Sequence, residues 1–293
     1  MPVIFKHPRL TDYFVKVIAA RADSPATTPS IIKPYESGRV ISFPALNFDI
    51  DFDYWASLPT EAYRGLKKLS SSPSAQDLAR DPVLDRRLAD ARVPAEMERR
   101  LKHEIRGIYQ QVLPIYEALF SGYRFVRRQV VWRLNTIRNE NLHIDTYATE
   151  FEEHFARLFI NLDNQPRIWM TSFTTEEMFQ RFGDSLSREQ LETMTAGQVR
   201  TTLNSIVFGG RSNVWWDRQP RHMIYFDPGD VWAVDSRQVS HQIFYGRRAV
   251  SIDFFVDKAS MRKPKRHYLH MAEIERQKLL WPHILRPAAA AAE

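Results

Sequence analysis

The chain has 293 residues, of which 44% are hydrophobic and 26% charged, so it can bury a sizeable core and lacks the composition of a disordered protein. Its formal net charge is +6 at pH 7, and it has no cysteine, which excludes disulfide bonds, thiolate metal ligands and a cysteine nucleophile. The N-terminal stretch "MPVIFKHPRLTDYFVKVIAARADS" carries scattered charges and no apolar run of signal-peptide or membrane-spanning length. We therefore expect a soluble, cytoplasmic protein.

The first predicted unit, residues 1–121, is a mostly helical extension that packs on the remainder of the chain. Residues 22–45 contain several Pro and Ser without periodicity, which indicates an irregular segment. Later in this unit, apolar side chains recur at steps of three and four, the pattern of a helix with one buried face. Pro94 suits an early position of this helix, and Pro114 is expected to kink it. The apolar stripe comprises Met97, Leu101, Ile105, Ile108, Val112, Ile115 and Leu119.

The second unit, residues 122–257, is predicted to be a β-rich core. Turn signals such as "RNEN", "DNQP" and "DPGD" separate the predicted strands "FVRRQVVWRLNTI", "FARLFINLD", "PRIWMTSF", "HMIYFDPGDVWAVD" and "QIFYGRRAVSIDFFVD". A helical pattern over residues 174–206 interrupts them as an insertion. The expected fold class is therefore α+β, with an antiparallel sandwich or barrel and helices packed outside it.

The third unit, residues 258–293, is a basic C-terminal tail. Such a segment can attract an anionic membrane surface, nucleic acid or an acidic substrate, or it can be a solvated connection and helix face. No recognised nucleic-acid-binding motif accompanies it, so we do not expect nucleic acid as the partner. The basic side chains over residues 258–286 are Lys258, Arg262, Lys263, Lys265, Arg266, Arg276, Lys278 and Arg286.

The stretch "NENLHIDTYATE" contains the first candidate site, because His143 and Asp145 lie one residue apart between two predicted strands. On an extended segment, residues i and i+2 point to the same face, so both side chains can reach one metal ion. The later stretch "DSRQVSHQIFYGRR" adds His241. Two His and one carboxylate form the facial set of non-haem Fe(II), which leaves positions for a bidentate 2-oxo acid and O2. Alternatively, His143 and Asp145 are a hydrogen-bonded pair in a loop and His241 is a structural residue.

A co-substrate such as 2-oxoglutarate also needs a cation for its distal carboxylate, ideally an arginine that donates two hydrogen bonds. Two predicted strands contain a candidate for this arginine. Alternation places Arg157 opposite the apolar face of its strand, and Arg247, unlike Arg248, opposite the apolar face of another. Alternatively, these arginines are cations on the protein surface. These apolar faces comprise Ala156, Leu158, Ile160 and Leu162 in the first strand and Val250, Ile252, Phe254 and Val256 in the second.

Three stretches of the β-rich region together resemble a known family. "WRLNTIRNENLHIDTY", "ARLFINLDNQPRIW" and "YFDPGDVWAVDSRQVSH" are similar to the Kdo hydroxylase family of Fe(II)/2-oxoglutarate-dependent dioxygenases, over residues 130–246. The most distinctive parts are the elements L-H-x-D, R-x-F-x-N and P-R-x-W in that order, followed by D-x-x-x-x-S-H. The resemblance implies a cupin-like double-stranded β-helix, or jelly roll.

The resemblance also implies a site and a reaction. His143, Asp145 and His241 would hold Fe(II), Arg157 and Asn161 would contact 2-oxoglutarate, and O2 would hydroxylate C3 of a Kdo sugar in the lipopolysaccharide inner core. Such a glycolipid substrate would suit peripheral contact with the inner membrane through the basic tail. The chain departs from the family pattern in "TYATEFEEH", which has fewer Pro and Ser, and in the two Arg that follow Gly246.

Two other functions stay open on the sequence. The same chemistry could act on a soluble amino acid or a natural-product intermediate, or the chain could be a non-enzymatic β-barrel that binds an anionic ligand. The non-enzymatic binding barrel predicts no tight iron site. The aromatic residues Trp132, Trp169, Trp232 and Tyr147 either line a pocket or belong to the core. His267 and His270 are expected to be polar residues of the tail.

Overall fold

A computed structural model of the chain describes residues 1–74, 77–78, 80–135, 141–146, 152–209 and 218–281. The strands in these residues are β1 (Val3–Phe5), β2 (Phe14–Lys16), β3 (Val40–Ser42), β4 (Lys68–Ser71), β5 (Phe125–Arg127), β6 (Val130–Arg133), β7 (His154–Asn161), β8 (Arg167–Thr174), β9 (His222–Phe226), β10 (Val231–Ala233), β11 (Val239–Tyr245) and β12 (Ala249–Val256). The helices are α1 (Ile32–Tyr35), α2 (Phe52–Ser57), α3 (Pro82–Ala91), α4 (Ala95–Leu119), α5 (Thr175–Phe182), α6 (Arg188–Thr193), α7 (Ala196–Phe208) and α8 (Tyr268–Leu280).

The strands form two sheets. The small sheet has the order β1-β9-β8-β11, and the large sheet has the order β2-β3-β10-β7-β12-β6-β4, with β5 added beside β12. Neighbouring strands are antiparallel, apart from the parallel pair β2 and β3. β7 and β12 pair along their whole length, from Ala249 opposite Asn161 to Val256 opposite His154. This pairing places Arg157 directly opposite Asp253.

An aromatic layer lies between the two sheets. Trp232 of the large sheet stacks on Phe159 with ring centroids 5.3 Å apart and on Phe226 of the small sheet at 3.9 Å. Trp169 of the small sheet contacts Trp232 edge to face. Each buried aromatic side chain contributes about 1.5–3 kcal/mol to folding. Trp232 is therefore a core residue, which decides between the two roles that the sequence left open for it.

Helix α4 covers the outer face of the large sheet. The predicted apolar stripe is confirmed, since its six residues from Leu101 to Leu119 are buried against the sheet and Met97 is half-buried. The helix begins at Ala95, directly after Pro94, and continues through Pro114. Trp132 of β6 belongs to this layer, because its ring stacks on Trp55 at a centroid distance of 5.4 Å. It is thus a core residue on the far side of the sheet from the predicted site.

The predicted helical insertion is confirmed and consists of α5, α6 and α7. Each helix begins with a capping box, in which Thr174, Ser187 and Thr195 accept a hydrogen bond from the third helical residue, whose side chain bonds back. The sequence analysis predicted the insertion from its helical pattern and did not identify these capping boxes. The helices pack with α8 on the outer face of the small sheet, and the apolar side chains there include Phe173, Met178, Val199, Leu203 and Ala272.

The N-terminal unit, residues 1–121, supplies four strands that the sequence pattern did not reveal. β1 extends the small sheet, and β2, β3 and β4 extend the large sheet. β3 lies inside the segment predicted to be irregular, residues 22–45. Strands of three or four residues are too short for alternation to stand out from chance, so only their pairing partners define them. The division of the chain into three units stays a prediction.

The basic tail is docked on the protein up to the end of α8. The buried carboxylate of Glu36 accepts hydrogen bonds from the backbone N–H groups of Arg262 (2.8 Å) and Lys263 (2.7 Å). Many of the basic side chains have carboxylate partners, and the pairs are Lys258–Glu152, Arg266–Glu176, Arg276–Glu273 and Lys278–Glu275. Of the helices in the described ranges, none combines the length and apolar character needed to cross a membrane.

Candidate metal centre

The three predicted metal ligands meet at one point of the fold. His143 forms an antiparallel bridge with His241, in which each backbone N–H donates to the other residue's carbonyl oxygen at 3.0 and 2.8 Å. This bridge places the two imidazole rings 4.6 Å apart. Asp145, two residues after His143, points to the same side as expected for an extended segment. One ligand atom from each of the three side chains lies within 4.8 Å of the others.

Both imidazoles are held with Nε2 facing the carboxylate. Nδ1 of His143 bonds the carbonyl oxygen of Asn141 at 2.6 Å, and Nδ1 of His241 bonds that of Val239 at 3.4 Å. A carbonyl can only accept, so each Nδ1 carries the proton and each Nε2 has its lone pair available. The two Nε2 atoms lie 3.5 and 3.9 Å from Oδ1 of Asp145. The arrangement thus presents two imidazole nitrogens and one carboxylate oxygen to a common point.

The carboxylate of Asp145 is oriented through its other oxygen. Oδ2 accepts hydrogen bonds from Nη1 of Arg157 and from the hydroxyl of Ser236, each at 2.6 Å. The backbone N–H of Asp145 also donates to the carbonyl oxygen of Ser236 at 2.9 Å. With Oδ2 held in this way, Oδ1 is the oxygen that faces the two imidazoles. Ser236 had no signal in the sequence beyond its position five residues before His241.

Arg157 points into the barrel, as the alternation predicted, and lies between two acidic residues. Besides its bond to Asp145, its Nε donates to Oδ1 of Asp253 at 2.8 Å. All three side chains are buried. A guanidinium between two carboxylates leaves one net negative charge, which a divalent cation beside Asp145 would offset. Asp253 was not predicted as a site residue, because its role depends on the pairing of β12 with β7.

Electrostatics keep the ligands in the form that binds metal. Burial alone would raise the pKa of Asp145, but the two imidazoles that face it and the positive charge of Arg157 hold that pKa well below its usual range. Burial lowers the pKa of His241 to about 3, helped by the adjacent His143 and Arg157. At neutral pH the carboxylate is therefore ionised and His241 is neutral. These are the protonation states that a metal ion requires of its ligands.

Helix α7 fixes the segment that carries the ligands. The side chain of Asn204 accepts a hydrogen bond from the backbone N–H of Ile144 at 2.8 Å. One turn earlier, the buried Arg200 donates to the carbonyl oxygens of Asp145 and Arg237, both at 3.0 Å. Residues four apart share a helix face, so one face of the insertion holds both residues that follow His143. Sequence reasoning missed this role, because nothing in the helical pattern shows what its polar face touches.

Asn161 and Arg247, the other predicted co-substrate contacts, have structural partners. The amide nitrogen of Asn161 donates to the carbonyl oxygens of Gln165 (2.9 Å) and Phe226 (3.1 Å) at the end of β7. The guanidinium of Arg247 bonds the carboxylate of Asp163 at 2.6 and 3.0 Å, and its side chain is 31% exposed. Their roles as co-substrate contacts stay predictions.

A further cation points to the inner face of the large sheet. Arg133, at the end of β6, pairs with Ala249 and donates from Nη1 to the hydroxyl of Ser251 at 2.6 Å. Ser251 in turn donates to Asp253 at 3.0 Å, which connects Arg133 to the partner of Arg157. Among the residues that the structure describes, no carboxylate forms an ion pair with Arg133. Alternation in "VVWR" could have placed Arg133 opposite Val130 and Trp132, but the pairing with Ser251 is tertiary.

The aromatic candidates have different positions. The indole of Trp169 stacks on the ring of His241, with centroids 5.4 Å apart, so Trp169 supports a candidate ligand from the small sheet. Trp132 and Trp232 are core residues, as described above. Tyr147 lies outside the described residues.

A second cluster of buried polar groups lies at the start of β7. Arg237 donates to Asp235 at 3.2 Å and bonds Nδ1 of His154 at 3.1 Å. The ring of His267 lies 6.2 Å from that of His154, and burial lowers the pKa of both to about 3. His267 of the tail is buried, because the turn before α8 packs its ring beside that of His154. His270 is exposed, as expected.

The donor set determines what the centre can do. Two imidazole nitrogens and one carboxylate oxygen on one side of a metal ion form the facial arrangement of non-haem Fe(II) sites, which leaves the other positions for exogenous ligands. The hydrogen bonds to Asn141, Val239, Arg157 and Ser236 orient all three groups before any metal binds. The residues present therefore fit a divalent metal ion with open coordination positions.

Comparison with known proteins shows that the chain matches the model of one protein family. The model of the 3-deoxy-D-manno-oct-2-ulosonic acid (Kdo) hydroxylase family matches residues 19–277. The match includes the three candidate ligands and most of the N-terminal unit. In a comparison with curated proteins, no sequence matches.

Solved structures with the same fold support the architecture. The Kdo hydroxylase KdoO, a non-heme Fe(II) α-ketoglutarate dependent dioxygenase, in complex with succinate and Fe(III), has a TM-score of 0.66 and 18% identity, covering 91% of this chain and 97% of that chain. The apo structure of the Kdo hydroxylase KdoO has a TM-score of 0.65 and 18% identity, covering 91% of this chain and 97% of that chain. The KdoO complex with α-ketoglutarate and Fe(III) has a TM-score of 0.62 and 17% identity, covering 89% of this chain and 95% of that chain. The predicted fold class is thereby confirmed.

Proposed function

Because the chain belongs to the Kdo hydroxylase family, we propose that it is an Fe(II)/2-oxoglutarate-dependent dioxygenase that hydroxylates a C–H bond of a Kdo-type acidic sugar. The observation that carries the proposal is the convergence of His143, Asp145 and His241, with their ligand atoms within 4.8 Å of one another. Fe(II) with 2-oxoglutarate would supply the oxidising power for activating O2 and inserting oxygen into the C–H bond. A non-enzymatic binding barrel would not need this preorganised donor set.

The protein residues have separate tasks in this function. His143 and His241 would donate through Nε2 and Asp145 through Oδ1, while Arg157 and Ser236 hold the second carboxylate oxygen. The open positions of the metal would take the 2-oxo acid end of the co-substrate. The aromatic layer between the sheets excludes water beneath the site, which strengthens electrostatic contacts there.

We assign the distal carboxylate of 2-oxoglutarate to Arg133, whose guanidinium has further N–H donors beyond the one that bonds Ser251. Arg157 is already bonded to Asp145 and Asp253, so an additional anion gains little from it. Arg133 lacks a carboxylate partner in the described part of the chain, and its hydrogen bond to Ser251 holds it on the inner face of the sheet. Ser251 lies two residues from Asp253 on β12, about 7 Å along the strand, a distance that suits a five-carbon dicarboxylate with one end at the metal.

Substitution of Arg133 tests this assignment. We expect Arg133→Gln to raise the KM for 2-oxoglutarate by about 10- to 100-fold with a smaller effect on kcat, since a charge-assisted pair of hydrogen bonds is lost. Arg133→Lys should recover part of the loss. If Arg247 binds the co-substrate instead, as the sequence analysis predicted, Arg247→Gln should raise the KM for 2-oxoglutarate and Arg133→Gln should not. Steady-state kinetics on both variants distinguish the two.

Metal binding and turnover together test the function. Anaerobic titration with Fe(II) and 2-oxoglutarate should produce the weak visible charge-transfer band of the chelate in the wild type. With O2 and a Kdo-containing lipopolysaccharide precursor, succinate and hydroxylated sugar should then form in equal amounts.

The outcomes separate the three hypotheses. A chelate band with turnover only on a soluble amino acid or natural-product intermediate would keep the chemistry and overturn the sugar substrate. Absence of the band in folded protein would contradict the dioxygenase function and favour a binding protein.

Peripheral membrane contact through the basic tail, over residues 258–286, stays part of the proposal. The ion pairs of this segment reduce the charge that it can offer to anionic lipid. Its basic side chains without a carboxylate partner among the described residues are Arg262, Lys263 and Lys265. These three would carry most of such contact.

A further inference from the structure

An exposed arginine sits on the same sheet face as the metal centre. Arg127 of β5 pairs directly with Phe255 of β12, two residues beyond Asp253. Directly paired residues in a sheet share a face, so Arg127 and Phe255 lie on the face of Arg157 and Asp253, about 7 Å farther along the strand. Arg133 lies in the other direction along the same face.

A stacking contact holds Arg127 in place, and its charge has no carboxylate partner among the residues that the structure describes. Its guanidinium carbon lies 3.3 Å from the ring centroid of Phe255, and that ring packs edge to face on Phe155 at 4.4 Å. No carboxylate within the described ranges pairs with Arg127, and the side chain is exposed. A guanidinium that stacks on a buried ring loses less conformational freedom when it binds an anion than a free side chain does.

We propose that Arg127 recognises the carboxylate of the acidic sugar substrate and positions the sugar over the metal centre. The proposal rests on the proposed function, since it concerns the same site. Going along this face, Arg133 comes first, then Arg157 beside Asp145, and then Arg127. A sugar acid presents a carboxylate that the exposed guanidinium of Arg127 can bind with two charge-assisted hydrogen bonds.

Arg128 provides a matched control. It follows Arg127 in the chain but is paired with Glu117 at 2.6 Å and contacts Phe254, whose side chain belongs to the opposite, helix-covered face of the sheet. Both arginines therefore have similar charge and sequence context, and only Arg127 is on the face of the metal centre.

The experiment compares the wild type, Arg127→Gln, Arg127→Lys and Arg128→Gln on a Kdo-containing substrate and on its carboxylate methyl ester. We expect Arg127→Gln to raise the KM for the acid about five- to twentyfold, with kcat and the KM for 2-oxoglutarate unchanged. The ester should be disfavoured by the wild type and by Arg128→Gln, whereas Arg127→Gln should barely distinguish acid from ester. Arg127→Lys should retain part of the preference.

Direct binding makes the result independent of turnover. Binding of free Kdo, measured by the change in tryptophan fluorescence, should weaken in Arg127→Gln and not in Arg128→Gln. Kdo binding by the wild type without turnover would overturn the proposed function alone. Equal binding of acid and ester by the wild type, or equal acid binding by the wild type and Arg127→Gln, would overturn the role of Arg127.

Discussion

Asp145→Asn should abolish metal-dependent turnover and weaken divalent metal binding by at least about 100-fold. The substitution keeps the size of the side chain but removes the charge that faces the two imidazoles. It also leaves the positive guanidinium of Arg157 beside the metal position with one carboxylate fewer to offset it. The absorption of Co(II), titrated into the protein, reports the binding directly.

Asp253→Asn is the matched control for this substitution. Asp253 bonds the same guanidinium from the other side, but it does not face the imidazoles. The control should therefore keep the Co(II) spectrum, with an affinity lowered by about tenfold because Arg157 is held less firmly. Circular dichroism shows whether both variants fold. If Asp145→Asn bound Co(II) as tightly as Asp253→Asn, Asp145 would not be a ligand.

The free energy of unfolding should fall steeply as the pH drops below 6.5. Burial holds the pKa of His154 and His267 at about 3 in the folded protein, against about 6.5 in the unfolded chain. Below pH 6.5 the unfolded chain therefore binds protons that the folded state does not, so the stability present above this pH is progressively lost. The loss is about 1.4 kcal/mol per pH unit for each histidine, or about 4 kcal/mol for both at pH 5.

Denaturant unfolding at several pH values checks this expectation. His267→Gln removes one of the two groups, so its unfolding free energy should fall less steeply below pH 6.5, by about 1.4 kcal/mol per pH unit. His103, an exposed histidine of α4, serves as the control, because His103→Gln should leave the slope of the wild type unchanged. Equal slopes in all three proteins would mean that His267 titrates normally in the folded state.

The local features of the fold followed from the sequence. The stripe of α4, the helical pattern of α5 to α7 and the long alternating strands β7 and β12 depend on residues close together in the chain. Their periodicity therefore carried the information. The three-residue strands β1, β2 and β3 have too few residues for a period, and they exist because a neighbouring strand satisfies their backbone groups.

The candidate ligands were also predictable from the sequence, for a different reason. His143 and Asp145 share a face of one extended segment, and His241 lies near the start of the later strand β11, so residue type and spacing were sufficient to identify the three candidates. The family motifs L-H-x-D and D-x-x-x-x-S-H each contain their ligands within a few residues, so short motifs were enough to identify them. The alternation of β7 likewise placed Arg157 inside the barrel.

Only the tertiary structure decided which polar groups surround these ligands. Arg157 lies between Asp145 and Asp253, and this depends on the register of β12 against β7. Its contact with the co-substrate stays a prediction. The roles of Arg200 and of His267 depend on which helix or turn packs beside a strand distant in the chain. Periodicity determines the face on which a side chain lies, whereas its charge partners come from segments that long-range packing brings together.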